Sequence, residues 1–285
     1  MSETLFLGAV AYDPKVVTIW DGFKAFFAER GLDFDYVLYS NYERQVEGQF
    51  RGEFHVAWNS PLAWVQTERL AARLGRSARA PAMRDSDRDL RSVVLVRAED
   101  PARQLEDLAG RRVGVGAADS PQATLIPLLL LQQAGLVAGE NILVKRHDLL
   151  LGKHGDHIGG EREAVRALLA GAVDAATVLD GNVLAFTADG TLPPGSARIL
   201  ASTPPYDHCV FTVLDGAPAH LVDRFVEQLF AMDYGDPAVR PLLDLEGLKA
   251  WKPGRTEGFA QLNAAVDALG TLEAWLSGLT KRLGA

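Results

Sequence analysis

The sequence has little cysteine and no excess of basic charge. Its 285 residues contain one cysteine, Cys209, which excludes an intrachain disulfide and any zinc site built on several thiolates. Lysine and arginine number 29 against 37 acidic residues, a formal net charge of −8. Because phosphate backbones are bound by clustered cationic side chains, this balance argues against nucleic acid as the main partner.

Long apolar runs are also missing. The most apolar stretch, residues 125–131, contains Pro127 and is much shorter than the roughly 20 apolar residues that span a bilayer. The N-terminus reads Met-Ser-Glu-Thr and has neither the basic region nor the long apolar segment of a signal peptide. We therefore expect no membrane insertion and a cytoplasmic location, or a periplasmic one if the chain is a processed form.

An α/β pattern fills the chain. Hydrophobic residues make up 48% and charged residues 23%, ordinary values for a packed soluble protein. Short apolar runs alternate with segments of helical periodicity, which predicts parallel strands joined by crossovers. The pattern occurs twice and indicates an α/β protein of two lobes with a ligand cleft between them. We expect residues 1–90 and 197–285 to form lobe 1 and residues 91–196 to form lobe 2.

The strongest local signal is the segment Gly114-Val-Gly-Ala-Ala-Asp-Ser-Pro-Gln-Ala-Thr124. A strand leads into small residues, then Ser120 as a helix N-cap and Pro121 at the first helical position. Unpaired N–H groups at a helix start attract anions, and the Ser120, Gln122 and Thr124 side chains add possible hydrogen-bond donors. The segment lacks the lysine of a Walker loop and the third glycine of a dinucleotide fingerprint. An ordinary capped helix is the alternative interpretation.

Polar or aromatic residues follow other predicted strands as well. Tyr12 follows the first strand, Trp58-Asn59-Ser60-Pro61 ends the third, and Asp180 follows the strand at 174–179. Ligands of open α/β sheets bind at the carboxyl ends of strands. The joint pattern favours an anion-binding cleft over a set of unrelated capped turns.

The segment 152–161 is rich in glycine and polar residues. His154, His157 and Glu161 could hold a metal, but the zinc-protease motif needs histidines four apart on a helix, and here they are three apart among glycines. We therefore expect no metal and no cofactor. One histidine could contact a bound anion instead, or the histidines could form hydrogen bonds with Asp156.

Asp207-His208-Cys209 resembles a fragment of a nucleophilic site. Adjacency in sequence does not create a triad, however. Cys209 enters an apolar run and is expected to be a buried small hydrophobe.

Several of these segments together resemble the phosphate/phosphite/phosphonate-binding proteins of ABC importers. They are the first strand through Tyr12 with its helix to Gly31, residues 42–60, residues 107–116, residues 120–127 and residues 162–178. The resemblance implies a type 2 periplasmic-binding-protein-like fold whose lobes close around a small anion.

The resemblance also implies positions for the site. In the family a Ser/Thr-rich turn at the start of a second-lobe helix holds the phosphonate or phosphate oxygens. Ser120, Gln122, Ala123 and Thr124 occupy that place, although the family's Ser-Thr-Ser cluster is thinned here. The family's first-strand aromatic residue and the polar residue after its third strand match Tyr12 and Asn59 or Ser60, and His157 loosely matches a histidine near the mouth of the site.

Three functional hypotheses follow. The first is a binding protein for a small phosphate, phosphonate or carboxylate ligand, with an ABC-transporter permease as its partner. Its expected ligand contacts are Tyr12, Trp58, Asn59, Ser60, Ser120, Gln122, Ala123, Thr124, His157 and Asp180. The second is a cytoplasmic enzyme of lyase or biosynthetic type in the same cleft, with His154 or His157 as general base and Asp180 or Glu161 as partner. The third is a sensor that binds a metabolite and a protein without turnover.

Overall fold

The computed structural model describes residues 3–148 and 158–284. The strands are β1 (Leu5–Val10), β2 (Phe34–Tyr39), β3 (Val56–Asn59), β4 (Ala78–Arg79), β5 (Ala82–Arg84), β6 (Ser92–Arg97), β7 (Arg112–Val115), β8 (Leu143–Arg146), β9 (Ala175–Leu179), β10 (Ala197–Ser202), β11 (Val210–Leu214) and β12 (Trp251–Pro253). The α-helices are α1 (Lys15–Glu29), α2 (Tyr42–Phe50), α3 (Pro61–Arg73), α4 (Ile126–Gln133), α5 (Ile158–Leu169), α6 (Asp180–Ala188), α7 (Ala219–Phe230), α8 (Arg240–Glu246), α9 (Ala260–Leu269) and α10 (Glu273–Leu283).

Contacts between Cα atoms divide the chain into two compact units. Unit 1 comprises Met1–Arg88, Asp207–Phe259 and Leu272–Ala285, and unit 2 comprises Asp89–Tyr206 and Ala260–Thr271. Residues 197–206 and 260–271, which we expect in lobe 1, are part of unit 2, because β10 pairs with β6 and α9 contacts α4. Compactness does not define which parts move together, so the lobe boundaries stay a prediction.

Unit 1 is built on a five-stranded sheet in the order β2-β1-β3-β11-β4. β1 pairs in parallel with β2 and β3, as the alternation of strands and helices predicts, whereas β11 runs antiparallel to β3. The apolar residues of α1 recur at helical spacing and are buried against this sheet. The resulting core is rich in aromatic side chains, including Trp20, Phe23, Phe27, Phe211 and Phe225.

Unit 2 has a second five-stranded sheet in the order β10-β6-β9-β7-β8. β7 pairs in parallel with β8 and β9, while β6 and β10 are antiparallel additions. Two apolar clusters cover its faces, one containing Val113 and Leu131 and the other containing Val165 and Phe186. Parallel strands buried on both faces read as continuous apolar runs, which is why the sequence reveals them.

The helix starts predicted at the two Ser-Pro pairs are confirmed. Ser60 Oγ accepts a hydrogen bond from Ala63 N at 3.3 Å, and Ser120 Oγ accepts one from Ala123 N at 3.1 Å. The helix after Ser120 begins with a π-helical turn, Pro121–Leu125, before continuing as α4. No helix in the two described ranges is both long enough and apolar enough to cross a membrane.

Candidate functional site

In unit 2, polar residues follow three parallel strands at one edge of the sheet. Asp119 and Ser120 follow β7 after three small residues, His147 follows β8 and Asp180 follows β9. Gly160, near the start of α5, lies at the same edge, because a Cβ atom on Gly160 would be 2.4 Å from the His147 carbonyl oxygen. Unit 2 therefore gathers these residues at the carboxyl edge of β7, β8 and β9, the usual ligand edge of an α/β sheet.

The turn between β7 and α4 is held by hydrogen bonds from neighbouring strands. The Ala123 carbonyl accepts from Thr177 Oγ1 at 2.5 Å and from Gly116 N at 3.2 Å. Ser92 Oγ lies 2.5 Å from the Gln122 carbonyl oxygen, to which it donates. Three of the four predicted contacts in this turn, Ser120, Ala123 and Thr124, are at most 1% exposed, and Gln122 is 6% exposed. The turn is thus fixed in position by its own unit.

Three buried polar atoms at this edge have no hydrogen-bond partner among the described residues. They are Thr124 Oγ1, Gln122 Oε1 and His147 Nε2. Buried polar groups are nearly always hydrogen-bonded, and leaving one unpaired costs about 1–3 kcal/mol. Burial, with a smaller contribution from Lys145, lowers the pKa of His147, so its imidazole is neutral at pH 7 and can both donate and accept. These atoms retain the hydrogen-bonding capacity that a polar ligand would use.

Glu161 lies beside this turn and is fully buried. Its Oε2 accepts from Leu179 N and from Asn182 Nδ2, both at 2.8 Å, and its Oε1 accepts from Gln122 Nε2 at 3.2 Å. The carboxylate therefore determines which way the Gln122 amide points. Asp180 is half-buried, and its Oδ1 accepts from Gly181 N at 2.7 Å.

The acid–base pair of the enzyme hypothesis joins Glu161 or Asp180 to His154 or His157. Both histidines lie outside the described residues, so the pairing stays a prediction. The hydrogen bonds that Glu161 accepts from Gln122 and Asn182 hold these two side chains in position. Binding through His157 likewise stays a prediction.

In unit 1, Tyr12 and Ser60 follow the parallel strands β1 and β3. Tyr12 is exposed, and the Lys15 ammonium lies 5.7 Å from the centre of its ring. Ser60 is half-buried and serves as the cap of α3. Tyr12 is thus the predicted unit 1 contact with the most open side chain.

Trp58 and Asn59 belong to the interior of unit 1. Asn59 Oδ1 accepts from Gln45 Nε2 at 2.6 Å, and Asn59 Nδ2 donates to Thr212 Oγ1 at 2.9 Å. The Trp58 ring packs 4.6 Å from the Phe211 ring, centre to centre. Both residues are buried because β3 is the middle strand of its sheet. The contacts that they make stabilise unit 1, and their role toward a ligand stays a prediction.

A cluster of five ionisable residues in unit 1 was missed by the sequence reasoning. Arg84 donates hydrogen bonds to the carboxylates of Asp87 and Glu246. His208 Nδ1 lies 3.5 Å from Asp87 Oδ1 and 3.2 Å from Cys209 Sγ. We call Arg84, Asp87, His208, Cys209 and Glu246 the unit 1 cluster. His208 and Cys209 directly precede β11, which pairs with β3 through Val210 and Asn59, so the cluster adjoins the end of β3.

The pKa values in the unit 1 cluster reflect burial opposed by neighbouring charge. Burial raises the pKa of Glu246 to about 7, against a smaller opposing effect of Arg84. Burial alone would also raise the pKa of Asp87, but Arg84 and His208 lower it to about 2. Burial alone would lower the pKa of His208, yet Cys209 and Asp87 raise it. The cluster therefore holds the Asp87 carboxylate ionised beside a cation.

The sequence signal for this cluster was the run Asp207-His208-Cys209. Cys209 is buried, which confirms that expectation, but it lies against His208 as well as in the apolar core. Asp207 is bonded instead to Arg255, with two oxygen–nitrogen distances of 2.6 Å. Arg84 and Asp87 are three residues apart, but Glu246 and the pair His208-Cys209 come from separate segments, so their meeting depends on the tertiary fold.

The chain matches a family model described as "ABC transporter, phosphonate, periplasmic substrate-binding protein" over residues 9–259. No curated protein matches it. Solved structures resemble it over nearly their whole lengths. PhnD1 from Prochlorococcus marinus in complex with methylphosphonate has a TM-score of 0.67 at 17% identity, covering 95% of this chain and 99% of that one.

Two further structures show the same fold. XAC2383 from Xanthomonas citri, bound to chloride, has a TM-score of 0.67 at 19% identity, with 98% of each chain covered. The periplasmic aliphatic sulphonate binding protein SsuA from Escherichia coli has a TM-score of 0.59 at 15% identity, covering 97% of this chain and 94% of that one. The predicted α/β fold of the type 2 periplasmic-binding class is confirmed by these similarities.

Proposed function

Because this chain belongs to the phosphonate substrate-binding family of ABC transporters, we propose that it binds a small phosphonate or phosphate anion at the carboxyl edge of the unit 2 sheet. The observation that carries the proposal is the Thr124 hydroxyl, which is buried and has no hydrogen-bond partner among the described residues. A hydroxyl retained in that state at the start of a helix suits a ligand oxygen.

The chemistry of the edge favours a tetrahedral oxyanion. Such an anion offers several acceptor oxygens, and Thr124 Oγ1 and neutral His147 Nε2 can each donate to one of them. The Ser120 hydroxyl accepts from Ala123 N and still carries its own proton to donate. Because helix N–H groups and hydroxyls act over short range, the acidic surface of the protein does not prevent anion binding in screening salt.

Two of the structurally similar proteins support the ligand class. PhnD1 was solved with methylphosphonate, and SsuA is named for aliphatic sulphonates. Both ligand types carry a tetrahedral oxyanion on a small apolar group. We propose that this chain shares the oxyanion requirement and that the phosphonate or phosphate head group is preferred to sulphonate.

Unit 1 is proposed to contribute Tyr12 and Ser60. Tyr12 offers an exposed ring and hydroxyl, and Ser60 offers a hydroxyl at the start of α3. In this family the expected mechanism is closure of two lobes over the ligand, in which the ligand shifts the population toward the conformation that it binds more tightly. The family match favours this substrate-binding function over the enzyme alternative.

A thermal-shift panel tests the ligand class. At millimolar concentrations we expect methylphosphonate and phosphate to raise the melting temperature, because ligands that bind only the folded state stabilise it by mass action. Methanesulphonate and acetate should give smaller shifts, and chloride at equal ionic strength is the control for salt effects. A larger shift with acetate than with methylphosphonate would contradict the phosphonate class, and no shift with any anion would contradict the binding site itself.

The proposed function also implies a partner protein and a cellular location. The family is periplasmic and works in ABC transport, and we propose that this chain delivers its ligand to a permease at the outer face of the cytoplasmic membrane. The N-terminus predicts a cytoplasmic location, or a periplasmic one if the chain is a processed form. Fractionation of cells that express the full-length gene distinguishes the two, since recovery in the periplasmic fraction supports delivery to a permease and retention in the cytoplasm contradicts it.

A further inference from the structure

The unit 1 cluster contains three side chains of different metal-binding type. Asp87 offers a carboxylate, His208 an imidazole and Cys209 a thiol, and one ligand atom of each lies within 4.8 Å of the other two. We propose that Asp87 Oδ1, His208 Nδ1 and Cys209 Sγ bind a zinc ion. This site is separate from the proposed anion site of unit 2 and does not depend on it.

The two distances from His208 Nδ1 to the other ligand atoms fit a tetrahedral ion. Zinc lies about 2.3 Å from sulfur and about 2.0–2.2 Å from nitrogen or oxygen, so ligand atoms on one tetrahedron are roughly 3.4–3.6 Å apart. His208 Nδ1 is 3.2 Å from Cys209 Sγ and 3.5 Å from Asp87 Oδ1. The Asp87 oxygen and Cys209 Sγ lie within 4.8 Å of each other, so binding an ion brings these two atoms closer by at most about 1 Å.

The surroundings hold the ligands in place. Arg84 donates to both oxygens of Asp87, and the His208 backbone N–H donates to the Asp87 carbonyl oxygen at 2.8 Å. Hydrogen bonds of this kind orient metal ligands, and their loss lowers affinity. Asp207, the residue before His208, is bonded to Arg255, which fixes the chain where it enters β11.

Charge and access also favour a dication. Zinc displaces the protons of the His208 imidazole and the Cys209 thiol when it binds. The Asp87 carboxylate and the Cys209 thiolate then neutralise its two positive charges, while Arg84 stays hydrogen-bonded to Glu246. Asp87 and Cys209 are 2% and 8% exposed, but the His208 side chain is 22% exposed and provides a route for the ion. A mixed sulfur, nitrogen and oxygen set suits zinc better than magnesium or calcium.

Titration of the reduced, chelator-treated protein with Co²⁺ and Zn²⁺ tests this site. We expect one equivalent of Co²⁺ to produce a cobalt–thiolate charge-transfer band and one equivalent of Zn²⁺ to abolish it. Cys209→Ala should remove the band, and His208→Gln should weaken Zn²⁺ binding by about tenfold or more, measured by calorimetry. His220→Gln is the matched control, because His220 is an exposed histidine of the same unit paired with Glu3.

Two results would overturn the proposal. The first is the absence of a cobalt–thiolate band in the wild-type protein, which would mean that Cys209 and His208 form a hydrogen-bonded pair only. The second is Zn²⁺ binding of unchanged affinity in a folded Cys209→Ala variant, which would place the bound ion elsewhere. Cys209→Ser, a smaller change in volume and polarity, tests the band again if Cys209→Ala does not fold.

Discussion

Arg84→Met is expected to lower the free energy of unfolding of unit 1 by about 3–5 kcal/mol. Arg84 is the hydrogen-bond donor to two buried carboxylates, Asp87 and Glu246, and its guanidinium also lies 5.2 Å from the centre of the Trp58 ring. Methionine can fill much of the space but removes the hydrogen bonds to both carboxylates and leaves buried Asp87 with His208 as its cationic neighbour. Urea denaturation followed by tryptophan fluorescence measures the loss in unit 1, because all five tryptophans lie there.

A matched control separates this buried pair from a surface one. Arg51→Met removes the same kind of side chain from an ion pair with Glu47 in unit 1, in which the arginine is 54% exposed. We expect a loss below about 1 kcal/mol there, since solvent screens exposed ion pairs. Adding Asp87→Asn to Arg84→Met should recover part of the loss. Equal losses in the two arginine variants would show that the unit 1 cluster does not depend on Arg84.

Thr124→Val is expected to weaken methylphosphonate binding by about tenfold or more while leaving unit 2 as stable as before or more stable. Valine keeps the shape of threonine and replaces the unpartnered hydroxyl with a methyl group. A hydrogen bond to a charged group contributes about 1.5–3 kcal/mol, whereas a buried unpaired hydroxyl costs about 1–3 kcal/mol. Binding is measured by calorimetry and stability by thermal denaturation followed by circular dichroism without ligand.

The control for this variant is Thr187→Val on α6 of the same unit. The Thr187 hydroxyl donates to the Val183 carbonyl at 2.8 Å, so its removal should leave binding unchanged and cost a little stability. Opposite signs of the stability change in the two variants would support the view that the Thr124 hydroxyl is kept for a ligand. A Thr124→Val protein that binds methylphosphonate as tightly as the wild type would contradict it.

Local sequence rules predicted much of the fold. The strands at 5–10 and 34–39 are apolar runs bounded by turn residues, and the structure places β1 and β2 there. The starts at Ser60 and Ser120 could be predicted because capping depends on residues three apart in the chain. Antiparallel placement of β6, β10 and β11 could not, because the direction of a strand in a sheet depends on long connections that the apolar pattern does not encode.

Some residues of the candidate site could likewise be predicted from local sequence, and others depend on the tertiary fold. Residues 120–124 were identified because turn, cap and hydroxyl side chains are contiguous. His147 was missed because it follows a short strand with exposed residues, and only the fold brings it next to Gly160. Asn59 has a polar side chain of the type that contacts ligands, but it is buried because β11 pairs with β3. The unit 1 cluster joins the adjacent His208 and Cys209 to Arg84, Asp87 and Glu246, and only the tertiary fold brings these three segments together.

We infer that the turn at residues 120–124 holds the oxyanion of the ligand. A crystal structure of the protein with methylphosphonate tests it most directly. We predict a tetrahedral density whose oxygens lie within hydrogen-bond distance of Thr124 Oγ1 and Ser120 Oγ. A structure in which methylphosphonate is bound away from this turn, with the Thr124 hydroxyl still unpartnered, would contradict the claim.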